Sequence, residues 1–196
     1  MVLEFCPGGE LFLHLLKKRR FSETNARIII AEIILALEHL HKENIIYRDL
    51  KPENVLVDLD GHIKLTDFGL CRLNFTKEDL SKSLCGSPEY MCPEMLESGT
   101  HSTTIDFYQV GVFLFELLTG LPPNFSKDKK EMFMNIINKN ADIPKWLTPE
   151  VTNLLQLLLT KDPSKRLGCE MGWEDIKQHA FFTSCPGFDW GKVLAK

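Results

Sequence analysis

The sequence predicts a mostly α-helical domain carrying small β hairpins, on three observations. Apolar residues recur at helical spacing over long stretches, most clearly in "ARIIIAEIILALEHLH". Runs of β type are only three or four residues long and cluster between Ile45 and Thr66. An aperiodic segment rich in Gly, Ser, Pro and Cys, residues 70–104, separates them from the later helices. Strands so short cannot be the core, so their role is to position something.

In order along the chain, residues 10–17 read as a short helix opened by the Gly8-Gly9 turn. Ser22 is a candidate N-cap with Glu23 in the first turn, where the helix dipole favours an acid. From there to about His41, Ile29, Ile30, Ile33, Ile34, Leu37 and Leu40 keep helical spacing on more than one face, which predicts a central helix. Ile45–Tyr47, Val55–Val57 and Ile63–Thr66 follow as β-type runs. Asp58-Leu59-Asp60-Gly61 joins the last two as a hairpin turn. Residues 105–119, 127–139, 149–160 and 173–179 read as helices, with breaks at Pro122-Pro123 and Asp162-Pro163.

Bulk properties narrow the function. The 196 residues, 44% hydrophobic, suit one globular domain. A net charge of −4 without a basic stripe argues against nucleic acid as a partner. Glu32 and Glu116 interrupt the longest apolar runs, so no membrane span is expected. The six cysteines form no C-x-x-C pair and suggest neither zinc nor a disulfide framework. Reduced thiols in a cytoplasmic, or nuclear, protein are the simplest expectation.

The chemistry concentrates in "YRDLKPEN" and, thirteen positions after Asn54, "DFG". Asn54 and Asp67 offer the hard oxygen donors that suit Mg²⁺, which binds through few protein ligands plus substrate phosphates. A carboxylate held apart from the metal, Asp49, can orient and deprotonate a hydroxyl. The cation beside it, Lys51, can neutralise a transferring phosphoryl group. The set suits phosphoryl transfer, which depends on positioning and charge. Any one of these residues alone would be read as surface solvation; the spaced pattern is not.

With these motifs, and with "SLCGSPEYMCPE", "KDPSKRLG" and "IKQHAFF", the chain resembles the large, C-terminal lobe of a eukaryotic protein kinase of the AGC group of serine/threonine kinases. The resemblance runs over essentially the whole chain. It implies a protein-kinase-like large lobe over residues 1–181, with a hinge at 1–8, a catalytic loop at 47–54 and an activation segment at 67–94. Residues 182–196 would begin the group's C-terminal extension.

The resemblance also implies roles and cofactors. ATP and Mg²⁺ would bind, the metal on Asn54 and Asp67. Asp49 would be the base, Lys51 would touch the γ-phosphate, and Ser87 would bridge the two. Met1 would be the gatekeeper, with Leu3, Glu4, Phe5 and Cys6 in the hinge. Leu56 and Thr66 would floor the adenine pocket. Glu10 and Glu53 would approach the ribose and, with Glu116, the basic side chains of a peptide substrate. Arg48 would hold a phosphate on the activation segment, and Ser83 stands at the activating position, the target of an upstream kinase. Glu94 would pair with buried Arg166, and Asp106 would brace the catalytic loop.

The departures matter as well. The sequence holds neither G-x-G-x-x-G nor V-A-I-K, so the β-rich small lobe is not expected in these residues. Two readings follow. The chain is a serine/threonine protein kinase acting on proteins with basic residues upstream of the target hydroxyl. Alternatively, it is a truncated, catalytically weak or inactive large-lobe module that binds substrates or partners.

Overall fold

The computed structural model describes residues 4–75, 81–82 and 85–195. Its core is three packed helices: α2 (Glu23–Lys42), α4 (Thr104–Thr119) and α6 (Pro149–Leu158). The middle one, α4, packs against both others. All but its two ends is buried, including Asp106, Gln109 and Glu116. Gly111 permits the approach to α6, because a Cβ there would come within 2.8 Å of the Leu158 Cβ. Along α2, Ile30, Ala31, Ile33, Ile34 and Leu37 have no exposure. Each of the buried isoleucines and the leucine contributes roughly 1.5–3 kcal/mol. The helix starts where the sequence places it: the Ser22 side chain accepts from the Asn25 N–H.

Around this core lie α1 (Leu11–Lys18), α3 (Pro93–Ser98), α5 (Lys129–Asn138), α7 (Trp173–Lys177), α8 (Ala180–Thr183) and α9 (Trp190–Ala195). A three-stranded antiparallel sheet runs in the order β1 (Gly9–Glu10), β2 (Val55–Val57), β3 (Ile63–Leu65). Its register pairs Glu10 with Leu56 and Leu56 with Lys64. Buried Glu32 of α2 fastens this sheet to the core, accepting from the Ile63 N–H at 2.8 Å and lying 2.7 Å from His62 Nδ1. A second antiparallel pair joins β4 (Ser81–Lys82) to β5 (Thr100–His101). Among the described residues, no helix is long and apolar enough to cross a membrane.

Three details differ from the sequence reading. Gly9 does not open a helix; it lies in β1, and α1 begins at Leu11. Ile45–Tyr47 is not a strand, because only Ile46 pairs, with Arg72. The next two amides, of Tyr47 and Arg48, turn to the Asp106 carboxylate instead. Finally, the aperiodic stretch contains α3, with Pro93 in its first turn and Gly99 as a left-handed C-cap.

Candidate active site

Residues 47–54 form a loop between α2 and β2, and α4 holds its shape. Asp106, with no exposure, accepts from the Tyr47 N–H (3.0 Å) on one oxygen and the Arg48 N–H (2.9 Å) on the other. Gln109, one helical turn on, donates to the Arg48 carbonyl at 2.9 Å and accepts from the Leu50 N–H at 3.3 Å. The sequence reading did not find Gln109, although a lone amide in an otherwise apolar helix was the available signal. These bonds hold Arg48 at φ +69°, a conformation rare for residues with a Cβ. They also turn the Asp49 side chain back into the loop, where it is 3% exposed.

The Asp49 carboxylate is surrounded by donors. Asn54 Nδ2 lies 2.9 Å from Oδ2 and 2.8 Å from the Asp49 carbonyl oxygen. Lys51 Nζ is 2.9 Å from Oδ2. Ser87 donates its backbone N–H and its hydroxyl to Oδ1, both at 3.1 Å, and Lys51 Nζ is 2.9 Å from that hydroxyl. A hydroxyl thus sits within hydrogen-bond reach of a buried carboxylate and a lysine at once. Gly86 allows Ser87 to enter. At φ +94°, a Cβ there would come within 2.8 Å of the Arg48 carbonyl oxygen.

The arrangement also suits a metal. Because the Asn54 amide nitrogen faces Asp49, its oxygen is free to face outward. The Thr66 N–H bonds to the Asn54 carbonyl at 3.0 Å, which brings the next residue, Asp67, to the same end of the β2–β3 hairpin. Asp67 is exposed at φ +55°, with Oδ1 accepting from the Gly69 N–H at 3.1 Å. The described residues contain no group of three or more His, Cys, Asp or Glu able to cage an ion. One amide and one carboxylate oxygen match a magnesium ion that keeps most of its coordination for water and phosphate.

Thr66 also accepts the Tyr47 hydroxyl on its carbonyl, and Leu56 lies in β2 opposite Lys64. Glu4 is exposed and pairs with Lys64 at 2.5 Å. The Cys6 carbonyl accepts from the Gly9 N–H at 3.1 Å. Met1, Leu3 and Ser83 lie outside the described residues.

Of the three acids expected to meet a basic substrate, the structure groups two. Glu53 is exposed, and its charge acts on buried Glu116. Glu10 stands exposed at the end of β1. A third acid, Glu89, joins Glu53 and Glu116 and was not anticipated, nor was Tyr90, whose hydroxyl donates to Glu116. Burial first, then repulsion from Glu53 and Glu89, pushes the Glu116 carboxyl up to about 7, against the Tyr90 hydrogen bond.

The segment between Asp67 and Glu94 is anchored at both ends. Arg48 Nε donates to the Leu70 carbonyl at 2.7 Å. At the far end, Arg166 grips both Glu94 oxygens, at 2.7 and 2.9 Å. Its guanidinium, without exposure, also donates to the carbonyls of Thr104, Thr160 and Lys161.

The chain is similar to known proteins over nearly all of its residues. Residues 1–182 match the family described as protein kinase domain. Protein kinase 2 of Dictyostelium discoideum is 47% identical over 196 residues, covering all of this chain and 40% of its own length. Serine/threonine-protein kinase Sgk1-B of Xenopus laevis is 45% identical over 195 residues, 100% of this chain and 44% of its own. Sgk2 of Homo sapiens is 46% identical over 182 residues, 93% of this chain and 50% of its own. The chain therefore spans half or less of the length of these relatives. A motif-bearing loop braced by a buried helix, and a family match over nearly every residue, lead to one conclusion: the chain belongs to the protein kinase domain family and resembles its Sgk-type serine/threonine members.

Proposed function

We propose that this chain is the large lobe of a serine/threonine protein kinase that moves the ATP γ-phosphate to hydroxyls of proteins with basic residues upstream. The observation that carries this reading is the triangle of Asp49, Lys51 and the Ser87 hydroxyl. A substrate hydroxyl brought beside Asp49 would give its proton to the carboxylate as its oxygen bonds the γ-phosphorus and the bond from that phosphorus to the β-phosphate oxygen breaks, releasing ADP, with the Ser87 hydroxyl still bridging Asp49 and Lys51. Lys51 would meet the negative charge on the phosphoryl oxygens. Asn54 holds Asp49 facing the hydroxyl, a contribution of orientation rather than of proton transfer. Asn54 and Asp67 would hold Mg²⁺, which supplies charge neutralisation at the phosphates. Glu53, Glu89 and Glu116 would receive the guanidinium of an upstream arginine, and Arg48 would hold a phosphate placed on Ser83 by an upstream kinase.

A second reading rests on one sequence fact: these 196 residues hold no glycine-rich phosphate loop and no V-A-I-K lysine. By themselves they would hold Mg·ATP through the metal alone, bind basic peptides, and turn over poorly. One experiment separates the readings. The chain is assayed alone and fused behind the small lobe of a related kinase, with Mg·ATP and an arginine-containing serine peptide. The fusion is expected to phosphorylate the serine, and the chain alone to do so at least a hundredfold more slowly. A folded fusion that binds Mg·ATP and peptide yet transfers nothing would refute the proposed role of the Asp49 triangle.

A further inference from the structure

A sizeable cavity lies away from the Asp49 loop. It has a volume of about 560 Å³ and is bounded by the end of α2, the start of α4 and the loop into α7. That is within the range of about 300–1,000 Å³ for small-molecule sites. Its walls include Phe75, Phe107, Trp173 and Met171. Phe107 and Trp173 meet edge to face with ring centres 4.5 Å apart, and the His41 ring lies 5.1 Å from Trp173.

Two features of the lining specify a ligand. The charges at the rim are already neutralised: Glu38 pairs with Lys177 and Lys42, and Glu174 with Lys177. An ion would therefore find no unpaired counter-charge. The Thr103 side chain makes no capping bond to α4, which it precedes, so its hydroxyl can donate to a ligand. The Trp173 ring, 5% exposed, adds a flat apolar wall beside Phe107. A flat, uncharged aromatic molecule carrying an acceptor oxygen fits this lining.

The cavity also touches the supports of the catalytic loop and of the segment from Asp67 to Glu94. His41, in its wall, holds Asp106 at 2.7 Å, and Asp106 fixes the Tyr47 and Arg48 amides. The carbonyl of Asn44, also in the lining, accepts from the Phe75 N–H at 2.9 Å. The carbonyl of Thr104, in the lining too, accepts from Arg166, which grips Glu94.

We infer that this cavity is a second, regulatory ligand site for a neutral aromatic molecule with an acceptor oxygen, and that filling it stiffens the Asp49 loop through His41 and Asp106. The inference rests on the kinase reading only for the consequence; binding and loop stiffening are independent of catalysis.

The test uses the chain labelled with 5-fluorotryptophan, which reports separately on Trp146, Trp173 and Trp190, and 4-hydroxybiphenyl as the probe. Titration is expected to move the Trp173 fluorine resonance, saturating below about 1 mM, the range open to a ligand of this size, while the other two stay in place. Ser102→Phe and Cys169→Phe, each filling the cavity from a different wall, should weaken binding at least tenfold. Amide exchange across residues 44–50 should slow at least threefold on saturation, with residues 149–158 unchanged. An unmoved Trp173 resonance, equal movement of all three, or undiminished binding by both folded variants would overturn the site. Binding without slower exchange at 44–50 would overturn its regulatory role. Failure of peptide phosphorylation would touch neither result.

Discussion

Asn54 holds Asp49 twice, donating from a single Nδ2 to the Asp49 carbonyl oxygen and to its carboxylate. The pair closes the loop on itself, because both residues sit within five positions of each other and both are buried. Asn54→Asp removes both donors and sets a second carboxylate against the first. The expected cost is about 1–3 kcal/mol, read from the urea midpoint at pH 7.5. A variant as stable as the parent would show that the contact carries little.

Asp106 is the next support to test. Asp106→Asn keeps the shape but puts a donor NH₂ where one of the two backbone N–H groups now finds an acceptor. Hydrogen exchange at Tyr47 or Arg48 should rise at least tenfold, while the amides of α6 keep their rates. Asp49 should remain in place poorly enough that any transfer activity falls with it. Unchanged exchange at both amides would mean Gln109 alone suffices.

Glu116 gives a pH dependence with a definite sign. Burial, aided by Glu53 and Glu89, raises its folded value to about 7 from an ordinary 4.5. Between those values the folded chain holds a proton that the unfolded chain has released. Stability therefore declines as pH rises from about 4.5 to 7 on account of this group, and the loss is complete above 7. Glu116→Gln should flatten that part of the Tm profile relative to the parent. A profile as steep in the variant would assign the slope elsewhere.

The buried pair of Arg166 and Glu94 predicts asymmetry between single and double changes. Glu94→Leu leaves a guanidinium with no exposure facing no carboxylate and should cost about 3–5 kcal/mol. That corresponds to a fall of roughly 6–20 °C in Tm for a chain of this size. Arg166→Met with Glu94→Leu should recover part of the loss, since two apolar side chains bury without an orphaned charge. Double-variant losses equal to the sum of the singles would deny the coupling.

Much of this architecture was legible beforehand, for physical reasons that differ by element. The repeat of Ile and Leu through α2 could be satisfied only by a helix apolar on several sides, and Asp58–Gly61 left β2 and β3 little choice but a hairpin. β1 was hidden because two residues carry no periodicity; its existence depends on Val57 and Leu56 being there to pair. The run at Ile45–Tyr47 has strand composition, but tertiary acceptors outbid a neighbouring strand for its amides. In the site, Asp49, Lys51 and Asn54 stood out as polar groups crowded between apolar runs. Gln109, Glu89 and Tyr90 lie 35 to 60 positions away, and only the packing of α4 and the turn at Pro88–Tyr90 brings them in.

The Asp106 bridge to Tyr47 also has a meaning during synthesis. Its two ends are separated by 59 positions. At about 5–20 residues per second, a ribosome needs roughly 3–12 s to make the second after the first. Until then the nascent loop has no acceptor for its amides and nothing to hold Arg48 at positive φ. The motif most diagnostic of the family thus emerges shapeless, and its geometry is conferred late, by a helix that has yet to leave the exit tunnel.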